Sequence, residues 1–472
     1  MCLLLGWSSL SKYNSERITP TDATSAALES LIDEESILKS ISAILCVALT
    51  WLCTAQVQAD WPQYQGPTRN SVSPEKGLLK EWPAAGPKLV WNFKDAGLGY
   101  SSPSIVGDRL YITGARGKEE LLICLDATKG TELWKITIGP KFDFEGNSWG
   151  AGPRSAPSVS GNQVLALGGE GNLICADATS GKLLWSKHMM KDLSGEVNPI
   201  GGGVGSKPGE PKIGWGYTWS PLIDGDRVIC YPGGPKGALA ALELKTGNVA
   251  WRSESFTAMA SYSSPIIAEI EGVKQYVVLS NGGVTGVSAK DGTSLWTWEK
   301  EFPDVAIPTP IFSNGLIFAS ACKTCGLLKV TKSGDAFAAE MLYKSKATRV
   351  LKNDVGGSVM VDGNLYGYSD KMGWVCQKTP SGDQAWVARE PLKAGSVVAA
   401  DGMLIIYDEE AAEVALVEAN PEKFVLKSKF ALPKTTANKA PGGRNWTPPV
   451  INNGHLIIRD QELVFCFKIK GE

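Results

Sequence analysis

Residues 122–134 read LICLDATKGTELW, and residues 173–185 read LICADATSGKLLW. The same frame returns as LAALELKTGNVAW to Trp251, VTGVSAKDGTSLW to Trp296 and WVCQKTPSGDQAW to Trp386. In all of them a glycine (Gly130, Gly181, Gly247, Gly292, Gly382) stands four residues before the tryptophan (Trp134, Trp185, Trp251, Trp296, Trp386). A strand, a tight turn and a second strand explain this spacing. The carboxylates of Asp126 and Asp177 can accept from turn amides, and glycine supplies the positive φ that closes the turn. The tryptophan then lies in the outgoing strand, where its ring can cover a neighbouring sheet.

Upstream stand steps of a small residue followed by proline: Ser102-Pro103, Ala156-Pro157, Ser220-Pro221, Ser264-Pro265 and Thr309-Pro310. Each step opens an apolar strand, so one unit reads as four strands: SSPSIVG, DRLYITG, LLICLDA and TELWKI. Degenerate units follow at 306–346, 353–390 and 394–430. The last stretch, Trp446 to Ile469, holds only three strands. The missing fourth is Lys88–Phe93, KLVWNF, which has the terminal-strand pattern with no strands before it. Internal repeats of this period imply a closed ring, and closure removes the free sheet edge that invites aggregation. The expected fold is therefore all-β: an eight-bladed β-propeller of four-stranded antiparallel blades, closed by an N-terminal strand in the last blade. A tandem of β-sandwiches would not explain the half-units at both ends.

The LDAxxGxxxW units resemble the PQQ-type β-propeller repeat. That repeat occurs in quinoprotein alcohol dehydrogenases and in the lipoprotein scaffold of the outer-membrane barrel-assembly machine. The stretch Asp60-Trp61-Pro62-Gln63-Tyr64-Gln65-Gly66-Pro67 is similar to the start of PQQ-binding-like proteins of the planctomycete type. The resemblance spans residues 60–470 and implies fold more strongly than function. In quinoprotein dehydrogenases it implies a quinone stacked between a tryptophan and a disulfide of adjacent cysteines, with calcium on acidic and amide side chains. This chain has no Cys-Cys pair, and no matching Asp/Glu/Asn set is legible. A Cys-x-x-Cys-His haem site is also absent.

Composition narrows the chemistry further. With 47 basic and 49 acidic residues, the net charge of −2 supplies no field for nucleic acid. The two histidines, His188 and His455, leave little material for a histidine metal site or a Ser/His/Asp triad. No catalytic residue and no metal ligand is assigned. Residues 1–59 read as an N-terminal extension and signal peptide: Lys39, the apolar block Ile41–Thr54, then Val57-Gln58-Ala59 before a cleavage at Asp60. The acidic run Asp33-Glu34-Glu35 is foreign to a signal and points to translation from Leu38. Residues 60–87 form a lead-in segment and 88–470 the propeller, exported to the periplasm or outside the cell, with no membrane span once the signal is removed.

Seven cysteines remain after signal removal, and Cys124, Cys175, Cys376 and Cys466 occupy equivalent third-strand positions as small buried residues. Cys322 and Cys325 sit at the hairpin between the second and third strands of the fifth blade. There they form either a disulfide or two separately packed thiols. The segments leading into the first strands should ring one mouth of the channel. They carry Tyr100, Trp149, Arg154, Trp215, Tyr217, Trp219, Tyr262, Asp304, Asp354, Arg444 and Trp446. Tyr, Trp and Arg dominate binding hot spots, so these residues are the candidate ligand- or partner-binding set. The bland alternative is that they plug the channel. Gly201–Gly214 is expected to be a loop beside this mouth. The sequence thus points to a monomeric binding or scaffold protein that takes an envelope protein, a small molecule or a polysaccharide. The competing reading is a PQQ- and calcium-dependent alcohol or sugar dehydrogenase.

Overall fold

The computed structural model describes residues 60–471, except 145, 200–212, 301–304 and 322. The signal peptide, most of the Gly201–Gly214 loop, Asp304 and Cys322 therefore lie outside the described residues. Among the described residues, eight sheets, each with four antiparallel strands, follow one another along the chain. Blade 1 runs Ser104–Val106, Arg109–Arg116, Glu119–Asp126 and Glu132–Pro140. Blades 2 to 7 occupy 158–188, 222–252, 266–299, 311–341, 358–388 and 395–431. First strands of successive blades touch around the ring, which places them at the centre. Each small-residue-proline step falls just before one of these inner strands, as the sequence indicates.

The last blade is built from both ends of the chain. Val450–Asn452, His455–Asp460 and Leu463–Lys468 supply three strands, and Lys88–Phe93 pairs antiparallel with the third. Arg459 reinforces the closure between blades 8 and 1. Its buried guanidinium donates to the carbonyls of Ser101, Thr113 and Gly97 at 2.8–3.0 Å. Burial pulls its pKa down to about 9, opposed by Tyr100, Glu462 and Asp460.

The repeated glycine and tryptophan meet across blade boundaries. A Cβ built on Gly130, Gly181, Gly247 or Gly292 would stand 2.5–2.7 Å from the ring of Trp91, Trp134, Trp185 or Trp251, each in the preceding blade. Glycine is thus required twice over, by a φ near +70° and by the indole against its face. Beneath the ring, the third strand needs a small residue as well. Trp134, Trp185, Trp386 and Trp91 lie opposite Cys124, Cys175, Cys376 and Cys466, while Trp251 and Trp296 face Ala241 and Gly286. Several indoles also donate across the boundary at 2.9 Å: Trp91 to Ala127 O, Trp185 to Leu244 O and Trp386 to Asn420 O. Trp185 and Trp296 are buried, whereas Trp134, Trp251 and Trp386 are half-buried.

Two boundaries use substitutes. Tyr343 and Ala347 take the tryptophan's place against Gly382, and Phe430 packs on Gly86. Gly86 lies two residues before the closing strand, so it stands in for the turn glycine where the chain is discontinuous. Trp296 departs from the rule and donates to Gln275 Oε1 within its own blade at 2.6 Å.

Of the expected Cys322–Cys325 bridge only Cys325 is described. It follows the expected hairpin and is a buried free thiol whose Sγ donates to Ala347 O at 3.5 Å. Burial pushes this thiol up to about 12. Removing residues 60–93 takes away the closing strand and Gly86 together. The truncated protein is expected to aggregate without a cooperative melt, measured by light scattering and calorimetry. A soluble, cooperatively melting truncation would contradict closure by this strand.

Candidate binding site at the channel mouth

The lead-in segment does not lie outside the ring. Trp61 exchanges two 2.8 Å backbone hydrogen bonds with Ile105 in the inner strand of blade 1, and Pro62 O accepts from Val159 N in blade 2. Val72–Ser73 then adds a short parallel strand to Ala399–Ala400, the inner strand of blade 7. Between these anchors Arg69 reaches blades 3 and 4, donating to Ser220 O at 3.1 Å, to Pro221 O and to Pro265 O at 3.0 Å. Burial pulls Arg69 down to about 9. The segment holds Gln65, Arg69 and Ser71 at positive φ, a left-handed geometry costing about 1–2 kcal/mol per residue. The Arg69 hydrogen bonds offset that strain. The channel is therefore crossed by the chain's own N-terminal segment.

Above it lies a cavity of about 270 Å³ with Tyr64 of the lead-in segment in its wall. Burial raises the Tyr64 phenol to about 12. Around the mouth, aromatic rings form two connected arcs. Tyr100 meets Trp446 at 5.1 Å between centroids; Trp149 meets Trp215 at 5.5 Å, and Trp215 meets Tyr262 at 5.4 Å. The Tyr262 hydroxyl fixes this second arc by donating to Asn198 O at 3.0 Å and accepting from Trp215 N at 3.2 Å. Arg154 stands by the first arc, its guanidinium 5.3 Å from the ring centroids of both Tyr100 and Phe142. It donates to Gly150 O at 2.9 Å and Gly152 O at 3.1 Å. Burial lowers its pKa, opposed by Tyr100 and Glu120.

Of the candidate set, Tyr100, Trp149, Arg154, Trp215, Tyr262, Asp354 and Trp446 line this cavity. Arg444 lines an adjoining cavity of about 250 Å³ with Asp370 and Glu409, and sits 3.6 Å from Glu410. Tyr217 and Trp219 do not reach the mouth and pack in the core of blades 2 and 3, 1% and 0% exposed. The cause is alternation: Gly216 presses against the Gly169 backbone, and in the extended run that follows, 217 and 219 share the inward side while Thr218 lines the cavity. Sequence reasoning missed Tyr64, Thr218, Ser264, Thr309 and the apolar Val305, Ile307, Val355 and Pro448. Ser264 and Thr309 carried a signal, since each belongs to a small-residue-proline step.

A family model described as outer membrane protein assembly factor BamB matches residues 117–336. BamB of Yersinia pestis is 25% identical over 343 residues, covering 70% of this chain and 76% of that protein. The blade repeat, its closure and this match agree. Residues 117–336 carry the PQQ-type β-propeller repeat. Among solved structures, BamB from Moraxella catarrhalis superposes with a TM-score of 0.55 at 13% identity, covering 82% of this chain and 99% of that one. The quinohemoprotein alcohol dehydrogenase of Comamonas testosteroni gives 0.57 at 11% identity, covering 88% and 81%. These two likenesses concern the fold alone.

The family's quinone finds poor support in this propeller. The chain lacks adjacent cysteines, and among the described residues no three His, Cys, Asp or Glu side chains group to hold a metal ion. Among the described residues, Asp354 is the one carboxylate in the aromatic cavity. The residues present do not fit PQQ with calcium.

One buried acid supports the mouth from behind. Glu120, in the third strand of blade 1, accepts from Phe142 N at 3.2 Å and from Gly169 N at 2.8 Å. It thereby ties blade 2 to the loop that carries Phe142, Trp149 and Arg154. Burial raises its pKa from 4.5 to about 7. The native state keeps this proton up to about pH 7, while the unfolded chain releases it near pH 4.5. Stability from this group is therefore lost as pH rises between those values, and is level above them. Glu120→Gln is expected to remove that component. In thermal melts from pH 4.5 to 8, the wild type's margin over the variant should shrink as pH rises to 7. A constant margin would contradict the assignment.

Proposed function

We propose that this propeller is an exported, monomeric binding or scaffold protein of the cell envelope, and that the channel mouth is its working surface. The observation carrying this reading is the blind, aromatic-walled cavity. Its walls come from segments leading into the inner strands, where the repeat itself asks only for a small residue and a proline. Half-exposed tryptophan and arginine there cost apolar exposure and side-chain entropy that blade packing does not require. The relatives named as outer-membrane assembly factors support an envelope setting and an envelope-protein partner. The signal-like segment at 39–59 supports export. Closed blade edges and a rigid ring suit a platform that presents residues without moving them.

Arg154 and Arg444 would supply donors for acidic or carbonyl-bearing groups, with Trp149 and Trp446 as flat apolar walls. The double variant Arg154→Ala with Arg444→Ala is expected to lose co-purification of its envelope partner while its melting temperature stays close to that of the wild type. Full retention of the partner, or unfolding of the variant, would place the working surface elsewhere.

A further inference from the structure

The mouth carries opposite charges on the walls of one small cavity. Arg154 spends two N–H groups on backbone carbonyls, and among the described residues no carboxylate forms an ion pair with it. A partly desolvated cation in this position attracts an anion more strongly than a surface arginine does, because little water is left to screen it. Asp354 lines the same cavity. Asp354, Val355 and Trp446 also border the adjoining cavity, where Asp370 adds negative charge. Burial, together with Glu410, Asp408 and Asp354, raises the Glu409 carboxyl to about 7 despite Arg444.

Size and wall chemistry narrow the ligand. About 270 Å³ falls just below the ~300 Å³ at which pockets for drug-sized ligands begin. The cavity suits a molecule of amino-acid size rather than a nucleotide or an oligosaccharide chain. Trp149, Trp215, Tyr262 and Trp446 line the cavity with aromatic rings against which a flat or bulky apolar group can pack. Arg154 selects a carboxylate, and the side bearing Asp354 selects a cation.

We propose that the mouth cavity binds a small zwitterion of the α-amino-acid class. Its carboxylate rests on Arg154, its ammonium faces the Asp354 side, and an aromatic side chain lies against the indole walls. This rests on the reading of the mouth as the binding surface and names the ligand chemistry that surface selects. Arg154 gains an ion-pair partner, of which it has none among the described residues, and Asp354 selects against plain acids. The lead-in segment blocks passage through the channel, so the ligand enters and leaves by the same side.

The experiment is calorimetric titration of the exported chain with phenylalanine, phenylpropionate and phenethylamine, which carry both charges, the carboxylate alone and the ammonium alone. Phenylalanine is expected to bind, and each analogue to bind about tenfold more weakly or worse, the usual effect of losing one charged hydrogen bond. Arg154→Gln should weaken phenylalanine but leave phenethylamine unchanged. Asp354→Asn should weaken phenylalanine but leave phenylpropionate unchanged. Asp354 is exposed, so the second variant carries the test if the first one misfolds. Phenylpropionate binding as tightly as phenylalanine would overturn the proposal, and so would no detectable binding of phenylalanine at millimolar concentration. The two readings fail separately. A wild type that does not bind phenylalanine, with the envelope partner lost from the mouth variants, sinks only the zwitterion site. A wild type that binds phenylalanine, with partner capture intact in the mouth variants, sinks only the partner reading.

Discussion

The seating of an outer-strand ring on the next blade's turn glycine is the contact on which the rest of this structure depends. It recurs from Trp91 on Gly130 through Trp251 on Gly292, and it sets the spacing between neighbouring sheets. Any Cβ at these glycines would press into an indole well inside van der Waals contact and would also have to adopt positive φ. The cysteine, alanine or glycine opposite each tryptophan satisfies the same demand from below. Because each blade packs mainly on its neighbours, these contacts add along the ring in the manner of repeat proteins. Closure by Lys88–Phe93 makes the first contact and the last the same kind of contact.

A ring held in this way leaves an axial channel, and the lead-in segment determines what the channel can do. Arg69 binds carbonyls from blades 3 and 4, while Trp61 and Val72–Ser73 bind blades 1 and 7. One short stretch therefore joins opposite sides of the ring and turns a passage into a pocket. The aromatic arcs and Arg154 line the open end of that pocket. Glu120 connects the two levels, since the loop it holds between blades 1 and 2 delivers the cavity's cationic wall.

How much of this was legible follows from sequence distance. The Gly–Trp pairs repeat at short range, so the blades, their number and the strand shared between the termini could be read directly. Substitutes such as Tyr343 on Gly382 and Phe430 on Gly86 keep the geometry but break the pattern, so only the weakness of those units was visible. The crossing of the channel was not legible. Arg69 meets Ser220 and Pro265 through backbone carbonyls, which leave no trace in side-chain identity. The mouth was legible by position, because the segments before the inner strands must gather there. Which side of an extended segment faces the cavity was not, and Tyr217 and Trp219 turned inward for that reason.

The central claim is that the mouth, and not the outer rim, meets the ligand or partner. Site-specific photo-crosslinking in cells tests it most directly, with the reactive amino acid in place of Asp354 at the mouth or in place of Leu133, which is exposed on the rim of blade 1. The account predicts a defined adduct from position 354 that disappears when Arg154 is also changed, and none from position 133. A defined adduct from position 133 with none from position 354 would contradict it.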